Sequence, residues 1–145
     1  MRKGLLSTLA LLGFVAVAIP QEAQQKQNPD VARILAQLGP NANKPAGEVF
    51  KNVQILKDMP AKRLLAVMEQ GYSRALGVDC SHCHVEDRWE ADEKRQKLAA
   101  RDMIVMMRDL NATLAKMQNL EMEGQGKVNC TTCHRGQVKP ALEIK

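Results

Sequence analysis

Apolar residues recur at helical intervals along much of the chain. Val31, Ile34, Leu35 and Leu38 share one face of a short helix, which Asn28 caps and Pro29 enters in its first turn. Gly39-Pro40 stops it, and residues 41–47 read as loop. Pro60 opens a second helix with Leu64, Leu65, Met68 and Tyr72 as its buried stripe, and Gly77 ends it. The longest periodic segment carries Met103, Met107, Leu110, Leu114 and Met117 at alternating intervals of four and three, one face of a long helix meant for burial. Gly124 and Gly126 break the pattern beyond it. No segment alternates in the manner of a strand, so the expected class is all-α.

The amino end follows a different rule. Arg2 and Lys3 precede an apolar run over residues 4–19, followed by Pro20 and a Gln-rich stretch. A basic start, a short apolar centre and small residues at the end are the parts of a secretory signal. Ala16 and Ala18 allow cleavage there, with cleavage after Ala23 as the competing site. The run falls short of the roughly 20 residues of a membrane span, so the alternative is an uncleaved amino-terminal anchor in the inner membrane. The expected organisation is a signal or anchor over residues 1–23, a lead with a short helix over 24–45, and one domain over 46–145. The expected location is the periplasm.

Composition sharpens the picture at two points. The formal net charge of +5 is too small and too evenly spread to argue for nucleic acid. The aromatic residues are only Phe14, Phe50, Tyr72 and Trp89, too few to fill a conventional core. Four cysteines and three histidines, by contrast, fall into two short clusters.

Cys80-Ser81-His82-Cys83-His84 and Cys130-Thr131-Thr132-Cys133-His134 both read C-x-x-C-H, the attachment signature of c-type haem. Residues three apart on a helical turn share a side and lie about 4.5 Å apart along the axis. Two thiols so placed reach the two vinyl groups on one porphyrin edge, and the following histidine, His84 or His134, ligates the iron. Two covalently bound haem c groups also supply the large apolar bodies that the aromatic count lacks. The alternatives are a zinc ribbon or paired disulfides; neither requires His directly after the second Cys. Val78-Asp79-Cys80 and Val128-Asn129-Cys130, 50 residues apart, mark a weak internal repeat.

His82 sits between two cysteines and is expected to face away from the iron, which leaves methionine as the sixth ligand, as in electron carriers. For the first haem the candidates are Met68 and Met59, with Met68 on the helix face that meets the motif. For the second they are Met103, Met106, Met107, Met117 and Met122; analogy with the first site favours Met117. Trp89 is expected to pack at a haem edge. Lys94, Arg95, Lys97 and Arg101 are read as a solvated helix face, with docking of an acidic redox partner as the alternative.

Three stretches together resemble the cytochrome c subunit of the photosynthetic reaction centre. They are residues 50–58 (FKNVQILKD) leading into the Pro60 helix with Met68, residues 100–111 (ARDMIVMMRDLN), and the close Cys130-Thr131-Thr132-Cys133-His134-Arg135-Gly136. That family carries four c-type haems in two paired halves, and this chain is similar to one half. The resemblance implies a small multi-helix c-type cytochrome domain built around two haems, with Met68 ligating the first iron and Met103 the second. It implies electron transfer rather than catalysis, with redox proteins, membrane-bound complexes among them, as partners. A homodimer would restore four haems. Three features depart from the family: the second half is absent, no lipid-bearing Cys stands at the amino end, and Met117 or a neighbour stands where the family has a His. They suit a small free-standing carrier, and photosynthesis itself does not follow. The competing class is a dihaem enzyme such as a peroxidase, with one open iron.

Overall fold

The computed structural model describes residues 27–119 and 127–143. The signal or anchor segment, Met122 and the Gly124/Gly126 break lie outside the described residues. Among those described there are helices and no strands, only isolated bridges pairing Pro45 with Pro60 and Val85 with Arg88.

Helix α1 (Pro29–Leu38) begins and ends where the caps require. The Asn28 side chain accepts from the Asp30 N–H at 2.9 Å, and Gly39 closes the helix. The expected loop beyond it is partly helical: a 3₁₀ turn over Gly39–Asn43 and a single turn, α2 (Ala46–Val49). Backbone bonds from Ala46 to Met59 and from Gly47 to Lys57, at 2.8 and 2.9 Å, clamp α2 to the segment before Pro60. These long-range bonds have no local signature.

The Pro60 helix is one rod with a wide turn in its middle. Helix α3 (Ala61–Ala66) passes into a π-helical stretch over Val67–Ser73 and then α4 (Arg74–Leu76). The Arg74 N–H bonds to the Glu69 carbonyl, five residues back, so one extra residue is wound into the turn that carries Met68 and Tyr72. The 3.6-residue spacing places the element and its stripe, since Leu64, Leu65, Met68 and Tyr72 line one cavity, but gives no sign of the wide turn. Gly77 ends the rod in the left-handed conformation, and the Val78 N–H returns to the Ser73 carbonyl at 3.0 Å, a Schellman closure. Helix α1 packs on α3, and the Asn28 N–H donates to the Glu69 carboxylate at 2.7 Å, tying the lead helix to the wide turn.

Helix α5 (Arg95–Leu114) is the long helix, and it stops three residues short of Met117. Its methionine stripe is not buried by the polypeptide. Ile104 faces the core and Met107 and Leu114 are half-buried, whereas Met103, Leu110 and Met117 of the stripe are 48, 41 and 50 % exposed. The stripe is real, but no protein surface opposes it among the described residues. The polypeptide core is small: Val31, Leu64, Leu65 and Ile104 with three alanines. Helix α6 (Cys130–His134) is one turn, packed on α4.

Candidate functional site

The first motif forms a 3₁₀ turn over Cys80–His82, extended by a bond from the His84 N–H to the Cys80 carbonyl at 2.9 Å. This turn, the wide turn of the Pro60 rod, α1 and α5 together enclose a cavity of about 510 Å³. Met68, Cys80, Cys83 and His84 all line it, on walls supplied by Val31, Leu64, Leu65 and Ile104. That volume lies in the range of cofactor pockets. An apolar chamber with two thiols, one imidazole and one thioether fits covalent haem. Met59 and His82 are not among the cavity-lining residues; the Met59 carbonyl is engaged by Ala46.

Orientation of His84 comes from backbone. Its Nδ1 lies 3.0 Å from the Trp89 carbonyl, which can only accept, so the proton sits on Nδ1 and the Nε2 lone pair is left for a metal. Burial lowers the His84 pKa; the Trp89 bond opposes this, and Lys97, Lys94 and Arg101 lower it further. The imidazole is thereby held neutral, the form that ligates. Trp89 stacks edge-on to His84 with ring centroids 5.7 Å apart and lines the cavity as well, so the expected packing role is directed at the histidine.

The charged segment departs from its expected solvated face. Lys97 and Arg101 side chains are only 11 and 19 % exposed, and both line the cavity. Lys97 donates to the carbonyls of Trp89 and Ala91 and pairs with Asp92 at 3.1 Å; Arg101 meets Asp92 at 2.9 Å and the Asn52 carbonyl at 3.2 Å. Hydrogen bonds from Arg101, then Asn52 and Lys97, hold the Asp92 carboxyl well below the usual carboxylate range. The reason is tertiary: these cations close the cavity rim against the 50–58 loop instead of pointing outward. Lys94 is half-buried and reaches the Ser81 carbonyl, while Arg95 is exposed.

The second motif repeats the histidine geometry of the first on a more exposed turn, as far as the described residues go. Asn129 caps α6 through a reciprocal box with Thr132, its side chain accepting at 3.1 Å and its N–H donating to the Thr132 hydroxyl at 3.1 Å. His134 Nδ1 lies 3.1 Å from the Gln137 carbonyl, so its Nε2 is also left free. Asn111 of α5 clasps Val128 in both directions, at 2.9 and 2.8 Å, which fixes the segment leading into Cys130 beside the long helix. Met103 and Met117 both stand on the exposed side of this region, and the structure brings neither into a closed chamber.

None of the four cysteines is in a disulfide. Burial raises the pKa of Cys80, Cys83 and Cys130, which opposes the thiolates a zinc cage needs. Among the described residues no three His, Cys, Asp or Glu side chains converge as a metal cage would require. The carbonyls of Trp89 and Gln137 are functional groups that no sequence motif announces, because every residue carries one.

Comparison with known proteins takes in the stretch that holds both motifs. Residues 9–143 match the family described as the photosynthetic reaction centre cytochrome C subunit. Similar curated proteins include cytochrome c-554 of Chloroflexus aurantiacus, 41 % identical over 83 residues covering 57 % of this chain and 20 % of that protein. The photosynthetic reaction center cytochrome c subunit of Thermochromatium tepidum is 32 % identical over 98 residues, 66 % of this chain and 22 % of that one. The same subunit of Rubrivivax gelatinosus is 29 % identical over 125 residues, 84 % and 31 % respectively. This chain thus spans between a fifth and a third of the length of these relatives. With paired attachment motifs, oriented histidines and a match over nearly its whole length, the chain belongs to the photosynthetic reaction centre cytochrome c subunit family.

Proposed function

We propose that this chain is an exported dihaem c-type cytochrome that carries electrons between redox proteins, membrane-bound complexes among them. The observation that carries the reading is the shared geometry of the two motif histidines. Each has its Nδ1 beside a backbone carbonyl, at 3.0 and 3.1 Å, beside a pair of thiols spaced for two thioethers. Haem, when bound, supplies one-electron exchange at iron; the protein supplies attachment, orientation and potential. Cys80 and Cys83 would hold the first group and Cys130 and Cys133 the second, with His84 and His134 as axial ligands. Met68, on the wall of the first cavity, would supply a second iron ligand there. Met103 takes that role at the second site on the family resemblance.

Lys97 and Arg101 at the cavity rim suit the carboxylates of a haem edge, and their mutual partner Asp92 holds both side chains there. Met68 and Met103, if they hold the irons, would keep oxygen and peroxide out, which would separate a carrier from an enzyme. Residues 1–23 would direct export to the periplasm, or retain the chain at the inner membrane if uncleaved. Among the described residues no helix is long and apolar enough to cross a membrane.

The test is haem stoichiometry and ligand reactivity of the purified protein. Two covalent haems per chain by intact mass and reduced pyridine spectrum, both low-spin and indifferent to carbon monoxide, are expected. A single haem removes the dihaem reading. One high-spin iron that binds carbon monoxide replaces the carrier with an enzyme.

A further inference from the structure

The two attachment motifs meet at a junction where backbone touches backbone. Gly77 ends α4 three residues before Cys80 in the left-handed conformation, φ 67° and ψ 36°. Gly136, two residues after His134, has φ 83°. The Gly136 N–H donates to the Ala75 carbonyl at 2.8 Å. A Cβ on Gly77 would overlap the carbonyl oxygen of Gly136 and stand 3.0 Å from its carbon. Gly77 therefore meets two independent requirements, a left-handed turn and the absence of any side chain. Asn tolerates the first, but no L-residue other than glycine meets the second. At Gly136 only the first requirement applies, since nothing lies within 4 Å of the corresponding Cβ position.

Tyr72 reaches the same region from the wide turn. Its phenol feels Cys130 as well as Cys83, and desolvation by burial is the main reason its pKa is pushed up to about 12. A half-buried ring and a bare backbone contact together limit the play between the two motifs.

We propose that Gly77 is a positioning residue: its missing side chain lets the turn after the second motif dock on the helix before the first, and so sets the separation and orientation of the two haems. The inference rests on the dihaem reading. One-electron exchange between two irons oxidises one and reduces the other without moving a proton or breaking a bond. The polypeptide's lever on it is therefore where the two groups are held.

The experiment compares purified holoprotein with Gly77→Asn and Gly136→Asn. Haem per chain is measured first, by intact mass and reduced pyridine spectrum. A single haem in the wild type overturns the dihaem reading, and this inference with it, before the junction is tested. With two haems present, the exciton couplet in the Soret circular dichroism reports their separation and relative orientation. Gly77→Asn is expected to weaken the couplet several-fold or invert it, with both haems still attached, while Gly136→Asn preserves it. An unchanged couplet in Gly77→Asn, or an equal loss in both variants, overturns the proposal. If Gly77→Asn yields no folded holoprotein, amide exchange in the wild type decides. A Gly136 amide as protected as those of α4 supports the docked junction, and one that exchanges like an exposed loop refutes it.

Discussion

The two attachment regions solve one problem in opposite ways. The first motif is a 3₁₀ turn with no side-chain cap, held by what surrounds it: a cavity wall from α1, the Pro60 rod and α5. The second is a capped turn of α-helix with a reciprocal Asn129–Thr132 box, docked on α4 and clasped by Asn111, with an exposed methionine stripe nearby on α5. Both arrive at a histidine with Nδ1 beside a carbonyl and Nε2 free. Ligand orientation is thus a local matter, available to any turn with an acceptor a few residues downstream. Enclosure is a long-range matter, and among the described residues the first region lines a cavity while the second lies more exposed.

That contrast is broken most directly at the cysteines. Cys80→Ala with Cys83→Ala should abolish cooperative thermal unfolding, because Leu64, Leu65 and Ile104 line the vacated cavity and make up much of the core. Cys130→Ala with Cys133→Ala should keep a cooperative melt and lose one haem by mass. Equal damage from the two double variants would mean that the regions are not different in kind. A chain lacking all four cysteines should show no fixed tertiary structure, which dispersed amide resonances would contradict.

The methionines come next. Met68→Ala should leave both haems attached and open one iron to carbon monoxide. Met103→Ala should do the same at the second iron, while Met106→Ala and Met107→Ala should open neither. Carbon monoxide binding in Met117→Ala but not in Met103→Ala would transfer the second ligand to the residue favoured by the internal repeat.

A smaller effect measures whether a haem at the second motif would cover α5. Leu64→Ala, at a buried position, should cost about 2–5 kcal/mol in denaturant unfolding. Leu110→Ala, at a site 41 % exposed, should stay within about 0.5 kcal/mol when introduced beside Cys130→Ala and Cys133→Ala. In the two-haem protein it should cost more. No difference between the two backgrounds would show that the stripe stays in solvent.

The smallest effect is at the cavity rim. Asp92 has its pKa depressed in the folded state by hydrogen bonds from Arg101, Asn52 and Lys97. Its contribution is therefore present above the ordinary Asp value of about 3.9 and is lost as pH falls through the lower folded value. Asp92→Asn should change the acid limb of the stability curve below pH ~4 and leave its shape near neutrality unaltered. Because the carboxylate is exposed, the change should be small.

Much of this molecule is legible in sequence where the determinant is covalent or local. C-x-x-C-H names the attachment chemistry, because two thiols and an imidazole at that spacing meet one porphyrin edge and its iron whatever fold surrounds them. Asn28, Pro29, Gly39 and Gly77 mark helix ends, because caps and left-handed closures act within one turn. The family resemblance is legible for the same reason, being carried by contiguous motifs. Tertiary structure alone decided the rest. The extra residue wound into Val67–Ser73 leaves no mark in the apolar spacing before it. Lys97 and Arg101 read as solvent-facing until Asp92 and the 50–58 loop fold over them. The methionine stripe reads as core, because periodicity reports which side chains share a face and is silent on what opposes that face. The contact of Gly77 with Gly136 joins positions 59 residues apart, and steric exclusion between distant backbones can be written only by the path the chain takes.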